Sequence, residues 1–145
     1  ELPMRITLTV WKKQGDAVSV NRGPLTYALK IGEKWVAFGN NPEWPEWEVF
    51  PTTPWNYGLI VQQNNPQSSF EVIEHSWLPG EPFEAECAPI QLRAKAKRIS
   101  GWSMVKNCAD NPPPSPVASD QSVEQITLIP MGCAHLRISV FPTIK

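Results

Sequence analysis

The chain has 145 residues, a formal net charge of -1, sixteen prolines and seven tryptophans. That length fits one domain with a core of its own. The balanced charge gives no electrostatic case for a nucleic-acid or anionic-membrane partner, and no apolar run approaches the ~18 residues of a spanning helix. So much proline excludes long helices, and so much tryptophan excludes a disordered chain.

The chain starts at Glu1-Leu2-Pro3-Met4, directly in strand-like sequence, which reads as a C-terminal piece of a longer multidomain protein. Ile6, Leu8 and Val10 then alternate with Arg5, Thr7 and Thr9, the pattern of a half-buried strand. A polar turn with Gly15 follows, and Val18 and Val20 mark a second strand. After Arg22-Gly23-Pro24, Leu25, Tyr27, Leu29 and Ile31 alternate with polar or small residues as a third. Turns at this spacing are those of a sandwich or barrel.

Residues 33–58 differ. Trp35, Trp44, Trp47 and Trp55 share the segment with Pro42, Pro45, Pro51 and Pro54. Only 35–38 and 47–50 look strand-like. Proline removes ladder donors, so the rest reads as loop ordered by large aromatic contacts. Strands are expected at 59–62 and 70–75, with a connecting loop at 77–89. Ile90, Leu92, Ala94 and Ala96 alternate with Gln91, Arg93, Lys95 and Lys97, which gives a strand with a solvated basic face. Residues 99–105 are expected to continue as a further strand. Asn111 to Pro116 reads NPPPSP, a stiff polyproline II excursion over the surface. The final stretch, QITLIPMGCAHLRISVFP at 125–142, alternates on both sides of a Gly-containing break and predicts a β-hairpin closing a sheet packed on one side. The fold predicted for residues 1–145 is therefore a single all-β antiparallel β-sandwich, jelly-roll-like, with long Pro/Trp-rich loops and little helix.

Local chemistry is sparse. Glycoside hydrolysis wants two carboxylates about 5–9.5 Å apart. Glu46 with Glu48, and Glu84 with Glu86, would share strand faces, but exposed glutamate pairs are ordinarily solvated edges. Two histidines, His75 and His135, are too few for a metal site without carboxylates. No nucleophile elbow and no phosphate-binding glycine loop occurs, so neither a catalytic residue nor a cofactor is expected. Cys87, Cys108 and Cys133 are an odd number at wide spacing, which leaves any disulfide pairing open. The better functional candidates are Trp44, Trp47, Trp55 and Tyr57, clustered in the loop-rich region. Such rings stack on sugars when exposed, and otherwise pack a loop down or seal a domain against a neighbour.

Several stretches, in order, carry a resemblance: Leu2-Pro3-Met4, Arg22-Gly23-Pro24-Leu25-Thr26-Tyr27-Ala28-Leu29, Pro54-Trp55-Asn56-Tyr57-Gly58-Leu59, residues 112–117 and residues 126–142. Together they resemble the C-terminal β-sandwich region of the bacterial β-L-arabinofuranosidase family of glycoside hydrolases and its uncharacterised relatives. The pattern departs at Met131, where that family carries a tyrosine. The resemblance implies a secreted or periplasmic parent whose catalysis, with a cysteine nucleophile, a glutamate and a zinc ion, sits in a helical barrel N-terminal to the sandwich. No residue of this chain matches that catalytic motif, so none is carried over. Three roles compete: an accessory domain that braces the barrel and lends a loop to its active-site rim, an independent carbohydrate-binding module for plant-type glycans, and a protein-interaction sandwich.

Overall fold

A computed structural model describes residues 3–76 and 83–145. Part of the expected 77–89 loop thus lies outside the described residues. The strands are β1 (Ile6–Trp11), β2 (Ala17–Arg22), β3 (Leu25–Leu29), β4 (Glu33–Phe38), β5 (Glu46–Pro51), β6 (Tyr57–Leu59), β7 (Phe70–Glu74), β8 (Ile90–Arg98), β9 (Met104–Val105), β10 (Cys108–Ala109) and β11 (Val123–Pro130). Among the described residues, helix is confined to short 3-10 turns at Lys12–Gln14, Pro66–Ser69 and Met131–Cys133. The fold is all-β, as the alternation predicts, with antiparallel sheets curled into a half-barrel.

The main sheet runs β1-β2-β3-β11-β8-β6, and β7 also pairs with β8. Strand β8 is long enough to serve two partners on one edge. Residues Ile90 to Ala94 face β7, and Ala96 to Arg98 face β6. Its period-two pattern sets the register. Leu92, Ala94 and Ala96 are buried, while Arg93 and Lys95 stay in solvent, as expected for the basic face. Cross-strand neighbours on β11, Ile126 and Leu128, point into the same core. That core joins Val18, Val20, Tyr27, Leu59 and Phe141. A second, smaller cluster of Ala28, Ala88, Ile129, Cys133 and Ala134 covers the opposite face of β3 and β11. Residues at both parities of β3 are buried for this reason: Tyr27 and Leu29 look one way and Ala28 the other.

The expected hairpin at 125–142 does not form. Its first arm is β11, but after the 3-10 turn the second arm leaves the sheet partner it was matched with. Ile138 O accepts from Leu29 N at 2.8 Å, and Phe141 exchanges two backbone bonds with Val18 at 2.7 and 2.8 Å. Pro142 O then accepts from Leu59 N, and Ile144 N donates to Leu59 O. The C-terminal segment thus laces β2 and β3 to β6. It closes the curl and places Phe141 in the core with no exposed surface.

Other departures are local. The strand expected at 99–105 is interrupted after Ile99. The chain turns and forms the small β9–β10 hairpin around Lys106 and Asn107, both at positive φ. The strand expected at 59–62 is β6, two residues earlier. The proline run has no regular partner strand but is not a loose excursion. Ser115 N donates to Gly15 O at 2.7 Å, and Ser115 Oγ accepts from Thr143 N at 3.0 Å. Gly15 sits at φ +62, and a Cβ there would lie 2.8 Å from the Pro114 Cα. Gly15→Ala therefore meets both left-handed strain and a backbone collision, and is expected to cost about 2 kcal/mol. Urea unfolding checks this; a loss below about 0.5 kcal/mol would show that the proline run is not seated on this turn.

Candidate functional site

The two strand-like runs expected at 35–38 and 47–50 are the cores of β4 and β5, which extend beyond them and, in a segment otherwise expected to be loop, pair into a separate two-stranded ribbon. Strands β4 and β5 pair with each other over six positions and, among the described residues, with no other strand. Pro45 and Pro51 fall just before β5 and at its last residue, where the ladder loses little. Two strands alone are marginal in water, and the root of this ribbon is pinned to the body. The Glu33 carboxylate accepts from Trp35 Nε1 at 3.1 Å and from Leu136 N at 3.4 Å, and pairs with His135 Nδ1 at 3.1 Å. The Trp35 ring stands edge-on to His135, centroids 5.0 Å apart.

Register assigns the faces. Trp35 and Ala37 lie opposite Val49 and Trp47, so these four share one face with Glu33 and Pro51. Val36, Phe38 and Phe50 share the other with Lys34, Glu46 and Glu48. Large apolar side chains thus occupy both faces and stay in solvent, Trp47 being 53% exposed and Trp44, at the tip, 79%. Asn41 Oδ1 accepts from the backbone N–H of Glu43 and Trp44 and shapes that tip. The Trp35 and Trp47 rings meet at 72°, centroids 6.3 Å apart, so they do not offer one flat platform.

A groove of about 410 Å³ runs between the ribbon and the body. Four consecutive β5 residues, Glu48 to Pro51, form one wall. Met104 and Cys108 of the β9–β10 hairpin form the facing wall, and Trp55, Leu136 and Ile138 lie in the floor. Trp55 is half-buried there and packs edge-on against Trp102 at 5.2 Å. Trp102 in turn is buried and donates from Nε1 to Asp110 O.

The four candidate residues therefore separate. Trp44 and Trp47 are exposed on the ribbon, and Trp55 belongs to the groove floor. Tyr57 is a core residue, 5% exposed, and donates from Oη to Glu124 Oε2 at 2.7 Å. Burial first, then the hydrogen bond and negative charge of Glu124, push its pKa up to about 12. Tyr57 cannot touch a ligand without unfolding β6. Trp35, Phe38, Phe50 and Met104 were not singled out by sequence and are exposed beside Trp47 and the groove. The equal strand-like runs at 35–38 and 47–50, separated by the eight residues 39–46, are the signal that could have paired them.

The glutamate pairs are solvated edges: Glu46 and Glu48 are exposed on the ribbon, and Glu86 meets Lys30 at 2.6 Å. Among the described residues, no group of three His, Cys, Asp or Glu side chains is placed to hold a metal ion. Cys108 is exposed in the groove wall, and Cys133 is buried. Burial, with Glu84 nearby, pushes the Cys133 thiol up and keeps it protonated. The arrangement defines an all-β domain with a projecting aromatic ribbon. No protein-family model matches the chain, and no curated protein or solved structure matches it.

Proposed function

We propose that this chain is a non-catalytic accessory β-sandwich of a β-L-arabinofuranosidase-like glycoside hydrolase. In this reading it braces the catalytic barrel of its parent, a secreted or periplasmic protein, and lends the ribbon to the active-site rim. The observation that carries the docking part is the β4–β5 ribbon, with Trp35, Trp47, Phe38 and Phe50 exposed on its two faces. On one face Trp35, Ala37, Trp47 and Val49 are adjacent apolar side chains, the kind of surface an interface uses, and Trp is among the side chains that dominate interface energy. The ordered motifs that resemble the family name the parent; the ribbon argues only for a neighbour.

Sugar binding is the second reading, favoured by the exposure of Trp44 and Trp47. The 72° angle between Trp35 and Trp47 argues against it, because a sugar ring needs a flat face or parallel faces. Titration with arabinan, arabinogalactan and their oligosaccharides, read by tryptophan fluorescence, separates the two. The expected result is no saturable change. A saturable shift lost in Trp44→Ala and Trp47→Ala would replace docking with carbohydrate binding. Glycosidase turnover by residues 1–145 alone would contradict the non-catalytic assignment.

A further inference from the structure

We propose that the outer edge of β5 is a strand-addition site. Its occupant is an extended segment of the neighbouring domain, apolar at alternate positions and carrying a lysine or arginine opposite Glu48. This names the partner chemistry of the ribbon and rests on the docking role proposed above.

In an antiparallel pair, hydrogen-bonded and non-hydrogen-bonded residue pairs alternate. Thr52 N donates to Gly32 O at 2.8 Å, which sets the phase. Counting inward from there, Phe50, Glu48 and Glu46 exchange bonds with β4. Trp47 and Val49 stand between them, so their N–H and C=O groups aim away from β4. Among the described residues, no backbone hydrogen bond outside the ladder with β4 involves residues 46–51. A bare edge of this kind is a template for another strand, and natural folds usually blunt it. Proline stands only at the two ends of this one, at Pro45 and Pro51.

The groove supplies the second observation. Four successive β5 residues line it, which a strand can do only with its edge, because its faces show alternate residues. An added strand would place its backbone against Trp47 and Val49 and alternate side chains among Trp55, Met104 and Leu136. Edge hydrogen bonds give such complexes affinity, and pockets for alternate side chains give specificity.

Charge selects the sequence of the occupant. Glu43, Glu46 and Glu48 form no ion pair among the described residues, and Lys34 is the one basic side chain on either strand. Glu48 is both in the groove wall and unpaired. Arg137, the basic residue of the lining, already donates from Nε to Ala134 O at 2.7 Å. Beside Glu48 the site therefore favours a basic side chain.

Residue-resolved hydrogen exchange in the full-length polypeptide tests this. The Trp47 and Val49 amides have no acceptor among the described residues, so an added strand should slow their exchange by about a hundredfold or more relative to an open edge. Val49→Pro removes the outward donor and leaves the β4 ladder intact; it should abolish the protection at Trp47. Glu48→Lys should weaken that protection at least about tenfold through like-charge contact. Open-edge exchange at both amides in the wild type overturns strand addition. If exchange is open but Trp47→Ala and Phe50→Ala still uncouple the neighbouring domain, the ribbon docks by its faces alone. If those two substitutions also have no effect, the docking role falls as well.

Discussion

Phe141→Ala should cost about 3–5 kcal/mol, a large share of the stability of a domain this size. Phe141 is fully buried, and it is the side chain that the C-terminal segment drives into the core between β2 and β6. Its ring removes roughly 150–250 Å² from water, and nothing on the facing Val18 can expand to refill the space. The segment is held mainly by backbone bonds to Val18 and Leu59, so loss of the ring also loosens the closure. Leu136→Ala, in a half-buried neighbour, should cost visibly less. Urea unfolding of both variants checks the ordering. A loss below about 1 kcal/mol for Phe141→Ala would mean that the C-terminal segment lies over the barrel mouth without filling it.

The second large effect is alkaline. The chain has two tyrosines, and burial raises both: Tyr57 to about 12, and Tyr27 upward despite the opposing charge of Arg22. The neutral phenol is the form the fold accepts. Stability from Tyr57 is therefore fully present below its unfolded pKa of ~10 and is lost as pH rises from there through 12. A shift of about two units corresponds to about 3 kcal/mol at the upper end of that window, and Tyr27 adds in the same direction. With no other tyrosine in the chain, tyrosinate absorbance should stay low at pH 10 and rise together with unfolding. Tyr57→Phe should lose the hydrogen bond to Glu124, about 1–2 kcal/mol at neutral pH, and flatten the decline between pH 10 and 12. Free titration of a tyrosine near pH 10 in folded protein would contradict the burial described for Tyr27 and Tyr57.

Much of the fold is written in local alternation. Leu92, Ala94 and Ala96 mark their strand and its buried face without ambiguity, whereas Val18 and Val20 mark β2 but not the burial of Ala17 and Ser19 on its other face. Which strand meets which is less legible, since partner choice depends on contacts far apart in sequence. Leu136, Ile138 and Val140 alternate as a second hairpin arm would, yet the 3-10 turn at Met131–Cys133 redirects them to β3, β2 and β6. The alternation there reports a half-buried extended segment and says nothing of its neighbour.

The site was legible in part for a similar reason. Proximity in sequence grouped Tyr57 with the tryptophans, but β6 turns it into the core, where its hydroxyl meets a residue 67 positions away. Four prolines hid the ribbon, although Pro45 and Pro51 only bracket β5. Trp35 is held through Glu33 and His135, a contact across 102 positions that no local pattern encodes.

The central claim is that the ribbon docks this sandwich onto a neighbouring domain. Scanning calorimetry of the full-length polypeptide tests it most directly, comparing wild type with the Trp47→Ala/Phe50→Ala double variant. Both side chains are exposed, so truncation should leave the sandwich itself within about 0.5 kcal/mol of wild type. Interface tryptophans commonly contribute about 2 kcal/mol or more each. The expected result is one coupled transition in the wild type and two separated transitions in the variant, with the sandwich melting on its own. A single transition at unchanged temperature in both proteins would contradict the claim.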